Sequence, residues 1–151
     1  MIYFIRFAIA WLCWLIFADK KRWREIMPVC VLSITLAFSS DLTIVYHSLW
    51  KYTGEHPLPI AFLDAFGIYS VVTYLFIQWL PKEKTTLRLI HYWFAWSLLS
   101  ITLEWLHVHM GHMHYGLWWH MGWSYLADWI IFTLLYFFHR ELHLWKLRRD
   151  E

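Results

Sequence analysis

Charge is scarce in this chain. Asp, Glu, Lys and Arg make up 16% of its 151 residues, against about 25% in an average soluble domain. The formal net charge is only +2. With no concentrated basic face to track phosphates, nucleic acid is excluded as a partner. Cysteine is limited to Cys13 and Cys30, both inside apolar runs, so a disulfide framework is excluded as well. Glycine and proline are few, at 5 and 4 residues, and no linker, low-complexity tract or internal repeat divides the chain. No GxSxG, Walker loop or HExxH is present. Apolar residues, by contrast, make up 60% of the sequence and Phe, Trp and Tyr 22%, with 13 Trp. A soluble fold this small leaves too much area in water to hide that surface, and disorder is excluded for the same reason. The class that remains is a single integral membrane domain over residues 1–151.

A bilayer core of about 30 Å takes roughly 20 apolar residues in a helix. Five segments approach that length: Met1–Ala18, Ile26–Tyr46, Ile60–Leu80, Leu89–Leu106 and Leu117–Phe138. The expected fold is therefore all-α, a compact bundle of five transmembrane helices. The first segment is short and carries Arg6, so four spans plus an interfacial N-terminal helix is the fallback. Cleavage of that segment near Ala18 is not expected, because it would send the basic stretch after it outward. Every Lys and Arg except Arg6 and Lys51 falls in the first connector, the third connector or the tail. The positive-inside rule then places those regions and the C-terminus in the cytoplasm, with the N-terminus outside. Trp23, Trp79 and Trp145 would mark the inner interface, and Trp50, Trp105, Trp118 and Trp119 the outer one. Pro28 falls in the first turn of its segment, where its missing N–H is tolerated.

An ionisable group in hydrocarbon costs about 2.5–3.5 kcal/mol. Arg6, Asp41, Asp64, Glu104 and Asp128 all lie inside or at the ends of these spans. Read on the expected topology, all five sit in the outer half or near the centre, and the inner half has almost no charge. Ser97, Ser100, Glu104, His107 and Gly111 follow helical steps and form one stripe on the fourth span. Ser33, Ser40 and His47, with Asp41 beside them, recur every seven residues on the second. Asp64, Gly67, Val71 and Gln78 trace a small, polar face on the third, and Ser124 and Asp128 stand one turn apart on the fifth. In lipid such faces turn inward and meet. One reading is structural: small residues permit close packing, Arg6 neutralises one carboxylate and the rest are protonated or hydrogen-bonded. The other supplies the missing positive charge from histidine or a metal ion.

Residues 107–120 read HVHMGHMHYGLWWH and hold half of the ten histidines. Glu104-x-x-His107 has the i, i+3 spacing that puts two ligands on one helix face. With His109, His112 and His114 it makes a candidate site for a divalent transition metal such as zinc or copper. The alternative is a headgroup-level loop with no resident metal. His139 and His143, one turn apart in the tail, fit an interfacial helix. Cys13 and Cys30 read as small packing residues.

The stretch from Asp41 to Arg140 resembles a family of small, uncharacterised multi-pass membrane proteins found mainly in spore-forming Gram-positive bacteria. The residues that carry the resemblance are LWKYTGEHPLP (49–59), YLFIQWLPKEK (74–84), Glu104 in the outer part of the fourth span, and WSY (123–125). The resemblance implies a four- or five-helix protein of the bacterial cell membrane and brings no activity, substrate or cofactor with it. The functional expectation is a non-enzymatic structural or interaction protein, without a cofactor. Its partners would be the lipid bilayer and other membrane proteins, and its outward-facing polar cluster would fix the bundle or form a small-ligand or ion pocket. The alternative is a metal-binding or metal-handling membrane protein that uses the external histidine loop and the ExxH pair.

Overall fold

The computed structural model describes residues 2–53 and 57–147. Positions 54–56 of the LWKYTGEHPLP stretch, and Arg148 and Arg149 of the basic tail, lie outside the described residues. The chain is mostly helical. Helix α1 covers Ile2–Phe17, α2 Trp23–Tyr46, α3 Pro57–Asp64, α4 Ser70–Gln78, α5 Thr86–His109 and α6 Met121–Glu141. A π-helical turn, Ala65–Tyr69, joins α3 to α4. Two three-residue strands, β1 (Trp50–Tyr52) and β2 (Met113–Tyr115), pair antiparallel with Trp50 opposite Tyr115 and Tyr52 opposite Met113. This ribbon is an addition to the all-α expectation. It joins the α2–α3 connector to the α5–α6 connector, two segments with no shared sequence signal.

Three stretches are long and apolar enough to cross a membrane: Lys20–Thr43, Leu58–Gln78 and Met121–Glu141. Helix α5 is as long as α2 at 24 residues and carries Ser97, Ser100, Glu104 and three histidines. Helix α1 has 16 residues, a rise of about 24 Å. It packs along α3 and α4. Its first turn reaches the ribbon, where the Tyr3 hydroxyl donates to His112 O at 3.1 Å. Its far end meets Gln78, whose Nε2 donates to Phe17 O at 2.8 Å while its Oε1 accepts from Asp19 N–H at 2.7 Å. Close approach of α1 depends on Gly67, where an added Cβ would stand 2.8 Å from Phe7 Cδ2. The outward faces of α1, α5 and α6 stay apolar and exposed, through residues such as Ile9, Ile16, Phe94, Leu98, Ile130 and Leu134. Exposed apolar area of that extent suits lipid rather than water.

Several boundaries differ from the sequence reading. A 3-10 turn at Lys20–Arg22, capped by the Asp19 carboxylate on Lys21 N–H, runs straight into α2. Pro28 is therefore in the second turn of α2 and removes one helical donor there. The last helix starts at Met121 rather than Leu117. Leu117 adopts φ 51°, and His120 caps the helix by accepting from Gly122 N–H through Nδ1.

The core fills the end away from the ribbon. Ile26, Val29, Tyr74, Phe76, Ile77, Trp96, Phe132 and Leu135 pack there from four helices. Phe76 stacks on Tyr92 at 5.3 Å and meets Phe132 at 4.7 Å. Dense aromatic packing at that end leaves the polar residues to gather under the ribbon.

Candidate functional site

Five helices carry the predicted charges, and four of them bring theirs to one place. A cavity of about 110 Å³ lies beneath the ribbon, lined by Arg6, Asp64, Glu104 and Asp128 together with Ser100, His107, His112, Trp50, Tyr52 and Tyr69. The π-turn contributes to it directly, because Ile68 and Tyr69 form part of the wall. Widened turns of this kind re-aim side chains inside an otherwise regular helix.

Arg6 NH2 lies 3.0 Å from Asp64 Oδ1, so the single cation of the cluster is committed to Asp64. Glu104 accepts a hydrogen bond from the Tyr115 hydroxyl on β2. Asp41 is buried one layer away and accepts from the Tyr52 hydroxyl on β1 at 3.3 Å. Each strand of the ribbon thus gives one tyrosine to one helix carboxylate. Burial pushes the Tyr52 and Tyr115 phenols above the usual tyrosine range, which keeps both hydroxyls protonated as donors. Ser124 accepts from Trp119 Nε1 at 2.9 Å, fixing the loop that leads into α6.

The stripe on α5 is present: Ser97 is fully buried and Ser100, Glu104 and His107 face the cavity. The stripe on α2 differs from the expectation. Ser33, Ala37 and Asp41 are buried at four-residue steps, whereas Ser40 and His47 are exposed. His47 lies beyond the end of α2 at Tyr46, and the buried face of the helix turns toward Asp41 rather than Ser40. Ser33 Oγ accepts from Thr73 at 2.7 Å, locking α2 to α4. Trp50, assigned to the outer belt, is buried beneath the ribbon.

The five candidate metal ligands do not form one group. Glu104, His107 and His112 line the cavity, and the His107 and His112 rings lie 6.3 Å apart. His109 is exposed and stacks on Trp105 at 5.1 Å. His114 is exposed on β2, opposite Lys51. Among the described residues, no three of His, Cys, Asp or Glu stand close enough to hold a metal ion.

Sequence reasoning missed a second charged group at the opposite end. Glu25 is 2% exposed. Arg22 forks onto it with 2.8 and 2.7 Å bonds, and His139 Nε2 lies 2.9 Å from Glu25 Oε1. The end read as nearly free of buried charge therefore holds a buried carboxylate. His139, read as part of an interfacial tail, is itself buried. The i, i+3 spacing of Arg22 and Glu25 was the available signal; nothing local pointed to His139. Cys30 is buried, with its thiol donating to Ser70 O at 3.4 Å, and both cysteines are free.

No family model, curated protein or solved structure matches the chain.

Proposed function

We propose that the protein is a five-span integral membrane protein that acts by binding rather than by catalysis, with its ligand pocket under the β-ribbon. On this reading α1 and α5 cross the bilayer beside the three longer apolar stretches. The course of α1 alongside α3 and α4, from the ribbon to Gln78, supports that assignment. The distribution of Lys and Arg puts the ribbon and the N-terminus outside and the C-terminus in the cytoplasm. The resemblance to small multi-pass proteins of spore-forming bacteria is in keeping with this architecture, in a bacterial cell membrane.

The observation that carries the binding reading is the convergence of Arg6, Asp64, Glu104 and Asp128, from four separate helical rods, on one cavity of about 110 Å³. Charged groups held in a bundle interior mark ligand or ion sites more often than they stabilise packing. The test is thiol accessibility in lipid nanodiscs. A cysteine at Ser100, on the cavity wall, should react with a small neutral methanethiosulfonate. A bulky maleimide should fail to reach it. An unreactive thiol would reduce the cluster to a packing device.

A further inference from the structure

Resting on the pocket reading above, we propose that the cavity takes a small organic ammonium ion carrying an oxygen acceptor at its other end, a molecule of the kind and size of ethanolammonium.

The wall carries three carboxylates, Asp64, Glu104 and Asp128, and one fixed cation, Arg6. Arg6 is spent on Asp64 at 3.0 Å. Among the described residues, no Lys or Arg pairs with Glu104 or Asp128. Glu104 has the Tyr115 hydroxyl, but Asp128 Oδ2 is buried without a hydrogen-bond partner. A buried acceptor left unmade costs more than an average hydrogen bond returns. A cationic N–H group satisfies it and balances charge at the same time. The wall also presents the rings of Trp50, Tyr52 and Tyr69, the surface that favours organic cations over hydrated ones.

The other elements present the complementary need. Trp50 is 8% exposed, and its Nε1 donor has no partner; Arg6 Nε and His112 Nδ1 are likewise buried and unpartnered. These atoms come from β1, α1 and the turn before β2, whereas Asp128 and Glu104 come from α6 and α5. A ligand with only a positive end leaves the Trp50 donor unmet. One with an oxygen at its second end satisfies both sides. A cavity of about 110 Å³ has ample room for a molecule the size of ethanolammonium, since about 10–15 Å³ of such space already admits one water. The donor set does not suit a bare transition metal, since no three ligating side chains gather among the described residues.

The experiment is calorimetry on the full chain in lipid nanodiscs. Ethanolammonium is compared with ethylammonium, which lacks the oxygen, with ethylene glycol, which lacks the charge, and with Zn²⁺. Ethanolammonium should bind saturably and about tenfold or more tighter than either organic comparator, on the scale of one charged hydrogen bond lost. Asp128→Asn should bring its affinity down to that of ethylene glycol, and Trp50→Phe to that of ethylammonium. If a variant does not fold, the comparator series on the wild type decides alone. Equal binding of ethylammonium or ethylene glycol overturns the two-ended ligand, and so does binding of Zn²⁺ only. Absence of binding with a reactive cysteine at Ser100 overturns the ligand class and leaves the pocket standing. An unreactive cysteine there removes the pocket and this inference together.

Discussion

The hydroxyl of Tyr115 on β2 donates to the carboxylate of Glu104 on α5, eleven residues earlier in the chain. Tyr52 does the same for Asp41 from β1. The ribbon is held to the helices by side chains that reach down from both of its strands. Tyr115→Phe keeps the ring and removes only the donor, so Glu104 is left with one partner fewer. The expected loss is about 1–3 kcal/mol, read as a lower melting temperature in detergent. Glu104→Gln in the same background should cost less than it does alone, because the two residues share one bond. Strict additivity would show that the contact carries no energy.

Arg6 and Asp64 form the cluster's one close ion pair among the described residues, at 3.0 Å. Removing a single partner leaves a buried charge uncompensated, a loss of about 3–5 kcal/mol. Arg6→Leu should therefore destabilise more than Arg6→Leu combined with Asp64→Leu. The combination of Arg6→Leu with Glu104→Leu should be additive instead, since Arg6 is committed to Asp64. A rescue by the Glu104 change would reassign the pair.

Orientation follows from where the basic residues lie. A cysteine at Lys51, on the ribbon, should be labelled by a membrane-impermeant maleimide on intact cells. One at Lys146 should be labelled only after the cells are opened. The reverse pattern would invert the protein and place the pocket on the cytoplasmic side.

The histidines divide between the cavity and the surface, and this division predicts how metal behaves. Zn²⁺ bound by the exposed His109 and His114 should be weak, and should be lost on replacing His109, His112 and His114 by Ala. Glu104→Gln and His107→Ala should each leave the affinity unchanged. A loss of tenfold or more from either single change, the scale typical of disturbed ligand shells, would restore the metal-handling alternative. Affinity should also fall on acidification, because imidazole must be deprotonated to bind.

How far the sequence could be read depended on whether a contact is local. Runs of apolar residues located the helices, because the bilayer fixes their length. The α5 stripe was legible since Ser97, Ser100 and Glu104 differ by helical steps. The α2 stripe was misplaced because a seven-residue step strays only about 20° from one face, so spacing alone does not show that the neighbours of α2 cover Ala37 and Asp41 and leave Ser40 exposed. The ribbon could not be foreseen. Its strands are three residues each, and Trp50 and Tyr115 find each other only after four helices have set their connectors side by side. Trp50 read as an interfacial aromatic and nothing singled out Tyr52 or Tyr115, whose hydroxyls gain a role only through tertiary structure.

The clasp of Glu25 by Arg22 and His139 joins residues 114 positions apart. A ribosome adding about 5–20 residues per second takes on the order of ten seconds to make that much chain. Throughout that interval Glu25 exists without His139, which is not yet synthesised. Arg22, three residues upstream in the 3-10 turn that leads into α2, is made with it and supplies the charge from the start. The early pair covers the carboxylate from the start, and His139 joins it only with the final helix. Order of synthesis is thereby written into the structure: the chain carries its own escort for a buried carboxylate until the last segment comes to take its place beside it.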